Sequence, residues 1–104
     1  MVKGLVASLE VTAVLPDGKH VDIKVSIRPP HQEGPQWISS VLIKPLQEKA
    51  MEVRGVDSFH AVWLALSLVL KLLTQMKADG VKLENADGSE FPLEAYLSGL
   101  DGKP

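Results

Sequence analysis

His20, His31 and His60 are the only histidines in this chain, and there is no cysteine. Thiolate metal sites, disulfides and thiol catalysis are therefore excluded. A zinc site would need two of the histidines and a carboxylate such as Glu33 or Asp57. The three fall on segments that read as a strand, a loop and a helix, so their spacing gives no reason to converge. No metal and no cofactor is expected. Four polar residues suit a small ligand or an anion: Arg28, His31, Arg54 and His60 would line a cleft between the start of a helix near Asp57 and a loop at 29–36. Arg54-Gly55-Val56-Asp57-Ser58 leads into that helix start, where free amides and the helix dipole attract anions. Asp57 opposes this use, because its own carboxylate would occupy the amides. His60, in the first turn, reads sooner as a residue of the capped helix start than as a ligand.

Catalytic patterns are missing. The chain has no GxGxxG, GxxxxGK[ST], HExxH or GxSxG, so the usual phosphate, zinc and nucleophile-elbow signatures fail. Glu33, Glu48 and Glu52 have no spacing that would pair carboxylates for acid–base work. Trp37 and Trp63 suit a ligand pocket, but one aromatic on a strand and one on a helix more often meet in a core. The expectation is a protein that is not an enzyme.

The elements that would position these residues can be read along the chain. With 104 residues, 45% hydrophobic and 23% charged, it fits a single domain, 1–104, whose last residues, 99–104, form a frayed tail. Eleven basic and thirteen acidic residues give a net charge of −2 without a run of either sign; nucleic acid is not an expected partner. Leu5–Leu9 is too short for a secretory core, which places the protein in the cytoplasm by default. The apolar run Phe59–Leu73 is shorter than the roughly 20 residues of a spanning helix, so a membrane is not expected either.

Leu5 to Leu15 alternates apolar and polar, as does His20–Arg28, with Val21, Ile23, Val25 and Ile27 on one side. Joined by Pro16-Asp17-Gly18, the two segments predict a β-hairpin. Pro29-Pro30 reads as a stop, and PPHQEGPQ as the longest loop. Trp37–Ile43 predicts a third strand and Met51–Arg54 a short fourth. The helix opens at Asp57 or Ser58 and closes at Gly80. Val81–Glu84 predicts a brief strand, Asp87-Gly88 a turn, and Leu93–Leu97 a weak helix. The fold class is α+β, an antiparallel sheet of three to five strands on one long helix.

The order of hairpin, Trp-bearing third strand, GVDSFHAVWLALSLVLKLL and then LENADGSEFP resembles a family of short uncharacterised bacterial proteins. In these, a Gly-x-Asp-small start opens a helix of the form QAL-x-LAL, and a Phe-Pro ending follows. The resemblance covers roughly Leu9 to Pro92. This chain departs from it at Phe59-His60-Ala61-Val62, where Leu-Gln-Ala-Leu is usual, and at Ser89-Glu90. It implies a sheet crossed by one helix and no known activity. Some such small proteins look like immunity proteins that bind and block a toxin.

The helix is apolar nearly all round. At 100° per residue, Phe59, Val62, Trp63, Leu66, Val69, Leu70 and Leu73 share one arc, expected to join Leu9, Val11, Val21, Ile23 and Val25 in the core. Ala61, Leu64, Ala65, Leu68 and Leu72 fall opposite. Burying each leucine is worth roughly 1.5–3 kcal/mol, which predicts cover by a homodimer mate, by a heterologous protein partner, or by the segment around Leu93, Tyr96 and Leu97. The expected function is a non-catalytic protein-interaction module, with immunity-like toxin neutralisation as one form of it; the alternative is a small-ligand or anion binder, or a small enzyme, using the cleft.

Overall fold

The computed structural model describes residues 4–98; the expected tail at 99–104 lies outside them. Its elements are β1 (Ala7–Val14), β2 (His20–Ile27), β3 (His31–Glu33), β4 (Gln36–Lys44), β5 (Met51–Gly55), α1 (Ser58–Ala78), β6 (Lys82–Glu84) and α2 (Leu93–Ser98). β1 and β2 form the expected hairpin, with Leu9 opposite Val25 and Val11 opposite Ile23. At its turn Gly18 donates its amide to the Leu15 carbonyl and holds φ at 89°, which a side chain would resist. β6 adds to the outer edge of β1, and β4 pairs with β2. On its other edge β4 pairs with β5. Every pairing is antiparallel. The α+β class holds, with six strands instead of three to five.

The extra strand is β3, inside the segment read as a loop. Ile27 lies opposite Val41, and Arg28 donates its amide to the Ser40 carbonyl; the next pair is His31 opposite Ile38. Pro29 and Pro30 therefore face Ser39 alone, forming a β-bulge. A bulge leaves a residue outside the ladder, so the missing proline N–H costs nothing there. β2 ends ahead of the prolines, as expected, and pairing with β4 resumes at His31.

The sheet's inner side is fixed at Gly55. A Cβ built there would sit 2.5 Å from the Ala61 backbone nitrogen, so α1 rests on the strand with no side chain between them. Residues in register share a side, and residues two apart along a strand share it too. The inner side therefore carries Gly55, Val53 and Met51 of β5, with Trp37, Ser39, Val41 and Ile43 of β4. It continues through Ile27, Val25 and Ile23 to Val11, Ala13 and Leu83. Most of these form the buried core with Ala65, Val69 and Leu73 of α1 and with Phe91 and Leu93.

Here the structure corrects the sequence reading. Ala61 and Ala65, expected on the outer face, are fully buried. Phe59, Trp63 and Leu66, expected in the core, are 82%, 41% and 37% exposed. Val69 and Leu73 are buried as expected, while Val62, Leu64, Leu68, Leu70 and Leu72 are half-buried. The reason is volume. The inner strands already project Ile and Val into the layer, and only an alanine line lets α1 come down onto Gly55. Turning Phe59 and Trp63 inward would overfill a space closed by backbone on both sides.

Gly55→Ala should lower stability by about 1–3 kcal/mol or more, because backbone and not a flexible side chain must yield. Ala65→Leu should do the same, and Leu73→Ala should cost about 2–5 kcal/mol. Leu66→Ala should cost far less than Leu73→Ala. Urea unfolding of the four variants checks the ranking, and a costly Leu66→Ala with a harmless Gly55→Ala would reverse the helix orientation. Ser39 is fully buried, and its hydroxyl has no hydrogen-bond partner among the described residues. Ser39→Ala should therefore be neutral or stabilising by up to about 1–3 kcal/mol in the same assay.

Candidate functional site

The start of α1 is locked by two hydrogen bonds. The Asp57 carboxylate accepts from the His60 amide at 2.7 Å, and His60 Nδ1 accepts from the Val56 amide at 3.0 Å. This is a capping box with histidine in the place of the usual Glu or Gln, reaching one residue further back. As an acceptor Nδ1 carries no proton, which puts the ring proton of the neutral imidazole on Nε2. Both groups are spent on the cap, and Asp57 occupies the amide that an anion would need.

The cleft expected from Arg28, His31, Arg54 and His60 does not form. Gly55 faces α1, so its neighbour Arg54 faces the opposite, outer side of the sheet. His31 is in register with Ile38, which is in register with Arg54, so His31 shares that outer side. There His31 bonds Glu33 at 3.0 Å, and Arg54 reaches Gln36 at 3.4 Å and Glu52 at 3.9 Å. His60 stands across the sheet from them, and Arg28 is exposed on β4's β2 edge. His20, near the hairpin turn, joins neither histidine; among the described residues no cluster of three or more ligating groups is placed to hold a metal ion.

The feature the structure does build is an apolar groove. α1 runs diagonally, from Gly55 at one edge strand to the neighbourhood of β6, where the position of a Gly80 Cβ would lie 3.8 Å from Pro16. At the corner of the sheet by the start of β1 and end of β2, the described residues leave a groove, although Val25 and Ile27 on its floor are themselves buried. Ala7, Leu9, Val25 and Ile27 form the floor there, Trp63, Leu66 and Leu70 one wall, and Tyr96 the end. The groove encloses about 290 Å³, and among the described residues no charged one lines it. Phe59 stands one helical turn before Trp63 on the same strip.

α2 covers the other half of α1. Leu93 is buried and Leu97 half-buried against the core, while Tyr96 stacks on Phe91 at 5.1 Å and stays 45% exposed. The C-terminal segment thus does part of the covering that the sequence suggested. A clasp holds it: Lys77 Nζ donates to Glu94 at 2.8 Å and lies 3.9 Å from Glu90. That hydrogen bond raises the Lys77 pKa and lowers that of Glu94.

Of the residues expected at an interface, Ala61 and Ala65 are sealed against the sheet and Leu72 packs on the core; Leu64 and Leu68 stay half-buried. The groove residues were missed because their size pointed to the core. A usable signal was present: two alanines four apart, six residues after a glycine, mark the side of a helix that packs closely. α1 has 21 residues, and with an 18-residue stretch of mean hydropathy 1.5 it is long and apolar enough, by length and composition, to cross a bilayer. The run counted from sequence was shorter than the helix. Its alanine side, however, is packed on the sheet.

The clasp gives a pH signature. The depressed Glu94 supplies stability above its ordinary carboxylate range, lost as pH falls through its lowered folded value. The raised Lys77 supplies stability below its ordinary range, lost as pH rises through its raised folded value. Glu94→Gln should therefore loosen α2 between those limits and change nothing in acid. Hydrogen exchange at 93–98 checks this; equal protection in both proteins at neutral pH would show that the clasp does not hold α2.

Residues 10–93 match a family described as a domain of unknown function, DUF6968, nearly the span over which the resemblance was drawn. No curated protein and no solved structure matches the chain. The chain belongs to the DUF6968 family.

Proposed function

We propose that this family member is a non-catalytic protein-interaction module, cytoplasmic, whose contact surface is the strip Phe59–Trp63–Leu66 with the groove beside it. One observation carries the reading. Large apolar side chains stand exposed on a helix that had buried alanines to spare, and they adjoin a groove without a charge. Isolated exposed apolar residues are common, but a contiguous row at a groove marks a contact surface. Tryptophan and tyrosine are also the residues that most often dominate interface energies. At about 290 Å³ the groove falls just below the usual size range of small-molecule pockets and suits a side chain of a partner better.

The spent cap at Asp57 and His60 and the separation of His31 and Arg54 from His60 remove support for the anion or small-ligand alternative. What supports a protein partner is the strip itself.

A photo-crosslinking residue placed at position 63 in cells should yield covalent protein adducts. The same residue at position 24, on the outer side of the sheet, should not. Leu66→Glu should abolish the adducts at 63 while leaving the circular dichroism spectrum unchanged. Equal labelling from both positions would reject the strip as the contact surface.

A further inference from the structure

Resting on that reading, we infer that the partner is a second copy of this chain, bound with the two α1 helices antiparallel about a two-fold axis beside Trp63. An isologous interface must be complementary to itself, so a projection needs its matching recess on the same surface. α1 carries both. Phe59 is a projection, 82% exposed, and the recess between Leu66, Leu70 and Tyr96 begins two turns further along the strip. Trp63 lies midway. A two-fold axis at Trp63 brings Phe59 of each copy to the recess of the other and sets the two indoles side by side.

Charge supports the antiparallel sense. The groove and strip are uncharged, and the flank of α1 carries exposed Lys71, which joins no ion pair among the described residues. Antiparallel helices bring like flanks together, so the same axis sets Lys71 of one copy near Asp57 of the other. The area is adequate. Phe59, Val56, Trp63, Leu66 and Tyr96 together leave roughly 500 Å² of surface exposed per copy, close to the apolar centre of a small interface of about 600–800 Å² a side. A dimer of this size is expected to be weak to moderate.

Sedimentation equilibrium of the purified full chain should show a monomer–dimer equilibrium with a Kd of roughly 1–100 µM. Phe59→Ala should weaken it about tenfold or more without loss of fold, since Phe59 touches no core. Lys71→Glu should also weaken it, and Asp57→Asn, which keeps a capping side chain, should restore part of the loss in that background. The chain has no cysteine, so Trp63→Cys should give a disulfide-linked dimer on oxidation and Lys24→Cys should not. A wild type that stays monomeric overturns the second copy. If position 63 still crosslinks another protein in cells, the strip remains an interface and only its occupant changes. Dimers unaffected by Phe59→Ala and Lys71→Glu would overturn the inference equally.

Discussion

The contact of the α1 backbone with Gly55 governs this structure. At 2.5 Å from where a Cβ would stand, Ala61 leaves room for glycine and nothing larger. That one approach sets the height of the helix above the sheet. It also fixes the helix's rotation, because only the line through Ala61 and Ala65 is thin enough to face the strands. Once the alanines point down, Phe59, Trp63 and Leu66 must point away or sideways. The exposed strip and the groove are thus consequences of a packing constraint on the opposite side of the same helix. The cap of Asp57 and His60 starts α1 directly above Gly55, so cap and contact act as one unit.

Much of the fold could be read from period and punctuation. The alternation Val21, Ile23, Val25, Ile27 has one interpretation, and Pro16-Asp17-Gly18 one economical turn, so the hairpin followed. Asp57 and Gly80 bound α1 for reasons local to the backbone. Pro29-Pro30 does end β2, but the stretch after it was misread as all loop, because the missing donors matter only at the bulge and pairing resumes at His31. Nothing in the residues themselves announces which strand position will be left over. The rotation of α1 was misread for a different reason. Hydrophobic contrast orients a helix that has a polar side, and this one has hardly any. With contrast absent, side-chain volume decides, and volume is judged against the opposing surface, which the sequence does not display.

The dispersal of the four candidate ligand residues has the same origin. Arg54 and Gly55 are adjacent in a strand, so they must face opposite ways. Once Gly55 meets the helix, Arg54 is committed to the side away from His60. Sequence proximity to the helix start had made them look like neighbours. Histidine at 60 was correctly seen as a first-turn residue; its ring turned out to serve the chain entering the helix, which leaves it no free acceptor for chemistry.

The open corner follows from lengths and directions. At 1.5 Å per residue α1 is about 32 Å long, enough to cross the sheet once on a diagonal. A diagonal leaves two corners of a sheet uncovered. α2, with six residues, is about 9 Å long, and its clasp to Lys77 ties it to the far half of α1. Tyr96 reaches the groove's end and goes no further. Among the described residues, the fold therefore leaves Trp63 and Leu66 on the groove's wall partly exposed. Serine or lysine at 59 would leave every core contact described here intact, because Phe59 has none to lose. Its apolar character acts only outside the core, beside a groove whose wall residues Trp63 and Leu66 are exposed in the same way.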